Sequence, residues 1–118
     1  MGSQAPRWPP NARHDALAVS VCPTHYINAH LIPQLCELTD RYLIDGFFLD
    51  GVYQYFNVPC YYDRCQREYG AQIPKDEDDP IWHRWQRWQI DRVWHQVNEA
   101  TRAVHEIRDG VLMGINWI

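Results

Sequence analysis

Nothing in the 118 residues approaches the roughly 20 consecutive apolar positions that a membrane-crossing helix needs. A basic excess is missing too: the formal charge is −4, which argues against a nucleic-acid partner, since such partners select a basic face. The opening stretch, MGSQAPRWPPNARHD, lacks the basic-then-apolar order of a secretory signal, so the expected compartment is the cytoplasm. Cysteine is sparse. Cys22, Cys36, Cys60 and Cys65 are too few and too scattered for a disulfide scaffold, and in a cytosolic setting they read as reduced thiols. There is no internal repeat and no low-complexity tract. What remains is globular material: 46% of the residues are hydrophobic, enough to build a core. Residues 1–14 read as an extended N-terminal segment or tag, and residues 15–118 as one domain.

ALAVSV, residues 16–21, is a short apolar run and is predicted as a strand, with CPTHYINAH after it as a loop. In LIPQLCELTDRYL the residues Leu31, Leu35, Leu38 and Tyr42 recur at helical spacing, and Pro33 suits a first turn, where its missing N–H costs nothing. Residues 44–52, IDGFFLDGV, hold the apolar run Gly46–Leu49, too short for a helix, which reads as a strand buried on both faces. Strand, helix, strand makes a βαβ unit with parallel strands. Residues 51–79, rich in Tyr, Cys, Gly, Pro and Asp, read as a long irregular segment. A long helix follows, with Asp79 as cap and Pro80 at its first position. Its apolar stripe is Ile81, Trp85, Trp88 or Gln89, Val93, Val97, Ala100, Val104 and Ile107, and Gly110 ends it. VLMGINWI, residues 111–118, is the third strand.

The order is β-α-β-loop-α-β. It predicts an α/β fold: a parallel βαβαβ segment, part of a (β/α)8 barrel or of a doubly wound sheet. A complete barrel takes about 250 residues, so the chain is expected to be a piece of one, or a small three-stranded sheet.

Asp50 is the residue this pattern singles out. It closes an apolar strand at the carboxyl end, where parallel α/β folds place their chemistry. Phe48 and Asp50 share one face of that strand, so Phe48 fills a barrel interior while Asp50 sits above it at the mouth. The bland alternative is an aspartate chosen for an Asp-Gly turn. Asp45 opens the strand at the other end as a turn or cap residue.

QLCELTDRYLIDGFFLDG resembles barrel strand four of α-L-fucosidases and their relatives. CYYDRCQREYG, residues 60–70, is similar to the Cys-Tyr-Cys-x-x-Cys stretch that follows strand four in an uncharacterised group of glycosyl hydrolases and in zinc-cluster β-galactosidases. The resemblance covers roughly residues 16–118 and would make them strands three to five with their helices. It implies a carbohydrate substrate and a retaining mechanism with Asp50 as nucleophile, the acid/base carboxyl lying about 5 Å away in a complete barrel. None of Glu68, Glu99 and Glu106 lies at a strand tip in this reading, so the chain alone is expected to be inactive.

His25, Tyr26 and Asn28 follow the first predicted strand and suit hydrogen bonds to sugar hydroxyls, or equally ordinary loop polarity. Tyr53, with Tyr55 and Phe56, suits stacking on a sugar ring or packing of the loop. Asn116 and Trp117 close the last strand, Asn116 as the counterpart of Asp50. Cys60 and Cys65 form half of a zinc site, which Cys22, His25 or His30 would have to complete; the alternative is a buried thiol pair. Tyr62 stands where the resemblance calls for the middle cysteine, and with that ligand missing the expectation is no metal and no other cofactor. Trp82, Trp85, Trp88 and Trp94 sit at core-like spacing and are expected to pack, while Arg84, Arg87, Asp91 and Arg92 read as a solvated face. Open sheet edges predict self-association. Two further readings stay open: a small stand-alone α/β binding module without catalysis, and a zinc-stabilised domain.

Overall fold

The computed structural model describes residues 22–50 and 59–116. The first predicted strand (residues 16–21), the N-terminal segment, Tyr53 and Trp117 lie outside the described residues. The elements are α1 (Pro23–Tyr26), a π-helical turn (Ile27–Leu31), α2 (Ile32–Arg41), β1 (Gly46–Leu49), α3 (Asp63–Tyr69), α4 (Trp82–Ile107) and β2 (Leu112–Ile115). β1 and β2 pair in parallel, Gly46 opposite Leu112 and Leu49 opposite Ile115, so the class is mixed α/β. Among the described residues no helix is long and apolar enough to cross a membrane.

The stretch CPTHYINAH, expected to be a loop, is helical. Pro23 opens α1, and the backbone runs in right-handed helical geometry through the π turn into α2. Pro33 explains the π turn. Inside a helix, proline donates no hydrogen bond and its ring crowds the carbonyl four residues back. Here the N–H of Ile32 reaches the carbonyl of Ile27, one residue further than in an α-helix, which widens the turn just ahead of the ring.

β1 is not buried on both faces. Phe47 and Leu49 turn toward the helices, while Phe48 is 70% exposed beside Leu112 at 72%. Among the described residues the second layer consists of helices on one side of the sheet. Leu35 of α2 and Ala100 and Val104 of α4 pack with Val111, and Phe47, Leu49 and Met113 of the sheet join them. Arg108 ties the far end, donating to the carbonyls of Tyr42 (3.3 Å) and Ile44 (2.8 Å) between α2 and β1.

α4 begins at Trp82, two residues later than the cap reading implied. Asp79 organises the preceding turn instead: its carboxylate accepts from the Ile81 N–H (3.1 Å) and the Lys75 N–H (3.2 Å). Gly110 does adopt the left-handed conformation, in the turn after Arg108. At 26 residues α4 is about 39 Å long, roughly three times the length of a four-residue strand. Val104 packs beside Phe47, and Val93 beside Leu49 and Ile115. The helix start therefore projects beyond the carboxyl ends of the strands.

That projecting part is covered by α3, which lies within the segment expected to be irregular. Trp82 and Trp85 are buried with Cys65 and Ile73, and Tyr69 and Trp88 stack at 4.9 Å between ring centres. Arg92, expected on a solvated face, is instead packed under α3. Its side chain is 11% exposed, its Nε donates to Glu68 at 3.1 Å, and its guanidinium lies 5.1 Å from the centre of the Trp88 ring. Trp82 and Trp85 are buried and Trp88 is half-buried, while Trp94 is exposed.

Gly46 fixes the approach of the two strands. A Cβ there would lie 2.6 Å from the Leu112 carbonyl oxygen and 2.8 Å from its Cβ. Gly46→Ala is expected to destabilise the fold by about 1–3 kcal/mol, the usual cost of overpacking. Denaturant melts of the two proteins check this; equal midpoints would contradict the packing.

Candidate functional site

Three groups of candidate residues emerge, all toward the carboxyl ends of the strands. The first is a thiol cluster. Cys22 immediately precedes α1, Cys60 lies in the stretch before α3, and Cys65 is the buried residue of α3. Cys65 Sγ is 3.3 Å from Cys22 Sγ, and Cys60 Sγ is 3.5 Å from it. All three sulfurs lie within 4.8 Å of one another. Such separations exceed a disulfide bond of about 2.05 Å. They approximate the sulfur spacing around a zinc ion, about 3.8 Å for bonds of about 2.3 Å at tetrahedral angles.

The cluster sits on an apolar floor. Trp82, Trp85 and Ile73 pack with Cys65, and Cys22 and Cys60 border the same cluster. Among the described residues no histidine or carboxylate joins the three sulfurs. Tyr62, in the position of the missing cysteine, is 71% exposed. With Tyr62 in place of a cysteine, Cys60 and Cys65 form only half of a set, which Cys22, His25 or His30 had to complete. Of these the fold brings Cys22, 38 and 43 residues away in sequence, to the pair. Cys36 stands apart on α2, where burial and then the Glu106 carboxylate push its thiol pKa up, so it stays protonated.

The second group is at the strand tips. Asp50 directly follows β1 and Asn116 directly follows β2. Asn116 Nδ2 donates to Asp50 Oδ1 at 2.8 Å, and the Asn116 N–H donates to the Leu49 carbonyl at 2.8 Å, extending the ladder. The alternation along each strand carries both residues to the side of Phe48 and Leu112, away from the helices. Asp50 is exposed and Asn116 half-buried.

The third group is a pocket between the α1 region and α3. His25, Asn28, Ala29, Arg64, Arg67 and Glu68 line an open space of about 620 Å³. His25 is hydrogen-bonded to Arg64 through Nδ1. Neither Asp50 nor Asn116 is among the described residues of this lining. His25 and Asn28 are thus brought together, but with α3 rather than at the strand tips, because the helix start at Pro23 carries them there. Tyr26 is half-buried and leans on His30, with ring centres 5.6 Å apart.

Comparison of the chain with family models, with curated proteins and with solved structures finds no match.

Tyr61, beside Cys60, anchors this layer. Its hydroxyl donates to the Pro74 carbonyl at 2.6 Å, bridging the stretch before α3 to the one before α4. Burial, then Asp76 and Asp79, raise its pKa above the ordinary 10.0. The protonated phenol is the form the fold favours. Its contribution is therefore full below the unfolded value and is lost as pH rises through the raised folded one. Tyr61→Phe is expected to be less stable than the native chain at neutral pH, and the gap to close above about pH 10. Denaturant melts across that range check this; a gap that stays constant or widens would contradict it.

Proposed function

We propose that residues 22–116 form a metal-stabilised α/β module in which Cys22, Cys60 and Cys65 hold one thiophilic divalent ion such as zinc. The convergence of three sulfurs from two stretches of chain, Cys22 on one and Cys60 and Cys65 on the other, carries this reading. Thiolates crowded on an apolar floor repel one another, and a divalent cation removes that cost while it fixes the loops that supply them. The ion would tie α1 and α3 to the start of α4, beyond the reach of the sheet. With three protein ligands, a fourth position falls to water or another group. The expected result is about one zinc per chain after purification without chelator, and a fall to background in Cys65→Ser. Elemental analysis of both proteins checks this; zinc-free native chain, offered the metal and still not retaining it, would sink the reading.

A second reading is supported by the Asp50–Asn116 pair. In it the chain is a βαβαβ part of a (β/α)8 glycoside hydrolase with Asp50 as the nucleophile of a retaining mechanism. Two polar side chains at neighbouring strand tips, on the helix-free side, are where such a barrel has its mouth. There a carboxylate can attack an anomeric carbon, and the Asn116 amide orients it. The carboxyls Glu68, Glu99 and Glu106 are all on helices, so the acid/base would come from another part of the barrel. Fluorosugar substrates with a good leaving group bypass the acid step and leave the nucleophile esterified. Incubation of the natural protein with a panel of 2-deoxy-2-fluoroglycosyl fluorides should add one sugar mass to the Asp50 peptide and none in Asp50→Asn. Labelling of a different carboxylate would remove Asp50 from this role.

A further inference from the structure

We propose that the pocket between the α1 region and α3 binds an oxyanion borne by a sugar-sized molecule, with Arg64, Arg67, His25 and Asn28 supplying the donors. This pocket is separate from the thiol cluster and the strand tips: neither the sulfurs nor Asp50 enter its lining.

The lining is rich in donors. Arginine has five N–H donors and no acceptor, and stays charged at any ordinary pH. Arg64 and Arg67 are three residues apart on α3 and therefore share one face. In the Arg64–His25 hydrogen bond the guanidinium must be the donor, so His25 Nδ1 accepts. The other ring nitrogen, Nε2, is then the one that can donate. The Asn28 amide offers another. Among the described residues of the lining Glu68 is the one acid, and Arg92, outside the lining, holds it at 3.1 Å. The pocket therefore carries a local positive charge in a chain whose formal charge is −4. Charge-assisted bonds from paired arginines select carboxylate or phosphate.

The space is open and its lining exposed, so it leaves room of about 620 Å³ for a group attached to the anion. An acidic monosaccharide or a hexose phosphate has both the charge and the bulk. Contact between Cys22 and Cys65 at 3.3 Å holds the two walls together, since His25 is one helical turn past Cys22 and Arg64 immediately precedes Cys65.

Calorimetric titration of the full chain with glucuronate, with a hexose phosphate and with neutral glucose tests the assignment. The first two separate carboxylate from phosphate as the recognised group. Saturable binding of at least one of them at millimolar concentration is expected, with none for glucose. Arg64→Gln and Arg67→Gln should each weaken it about tenfold, the loss of one charge-assisted hydrogen bond. Arg87→Gln, on the exposed side of α4, should leave it unchanged. No binding of either anion, equal binding of glucose, or indifference to both α3 substitutions would overturn the proposal. Zinc measured on the same samples keeps it distinct from the metal reading: a metal-free chain that binds the anion sinks the metal centre alone, and a zinc-loaded chain that binds none sinks the pocket alone.

Discussion

The length of α4 is the constraint on which the rest of the structure depends. A helix of 26 residues lies against strands of four, so only its second half can be buried by the sheet and α2. The first half still carries Trp82, Trp85 and Trp88, and large aromatic surfaces left in water would forfeit roughly 25 cal/mol for each Å² not buried. α3, Ile73 and the three cysteines cover that half. Sheet and thiol layer are thus two separate covers on one helix. The first is a parallel α/β unit. The second is a small layer built from a short helix and loops over Trp82 and Trp85, and it is here that sulfur atoms converge.

The three candidate sites follow from this division. Asp50 and Asn116 belong to the sheet, and their positions come from strand register. The thiol cluster belongs to the overhang and joins its segments. The arginine-lined pocket lies on the outer side of the same overhang, with α1 and α3 as walls. The Cys22–Cys65 contact and the Arg64–His25 hydrogen bond both join those walls.

β1, α4 and β2 were legible because their patterns are local. The run GFFL bracketed by aspartates, the three-to-four spacing from Trp85 to Val104, and the apolar stretch after Gly110 each suffice alone. α1 was not, since Pro33 reads as a helix start while the π turn lets the helix run through it. Pro23 after Cys22 was the signal that could have found it. α3 has seven residues, too few for a periodic stripe, though Gly70 behind Tyr69 marked its left-handed end. The burial of Arg92 and of Gln96 had no local signal: polar positions on a helix stay in water unless another element happens to lie over them. Phe48, read as buried, needs a second layer that the described residues do not contain. At the candidate site, Asp50 and Asn116 were legible from strand order. Cys22 stood with His25 and His30 as a possible partner of Cys60 and Cys65, and the choice among the three was not legible, since only the fold measures a distance across 38 and 43 residues of chain.

In the proposed module, three thiolates from two distant stretches of chain share one ion and thereby fasten the overhanging half of α4. X-ray absorption at the metal edge of the zinc-loaded chain reads the ligand set directly. Three sulfur scatterers at about 2.3 Å, with at most one lighter atom, is the predicted first shell. A shell made only of nitrogen and oxygen would place the ion elsewhere and contradict the claim.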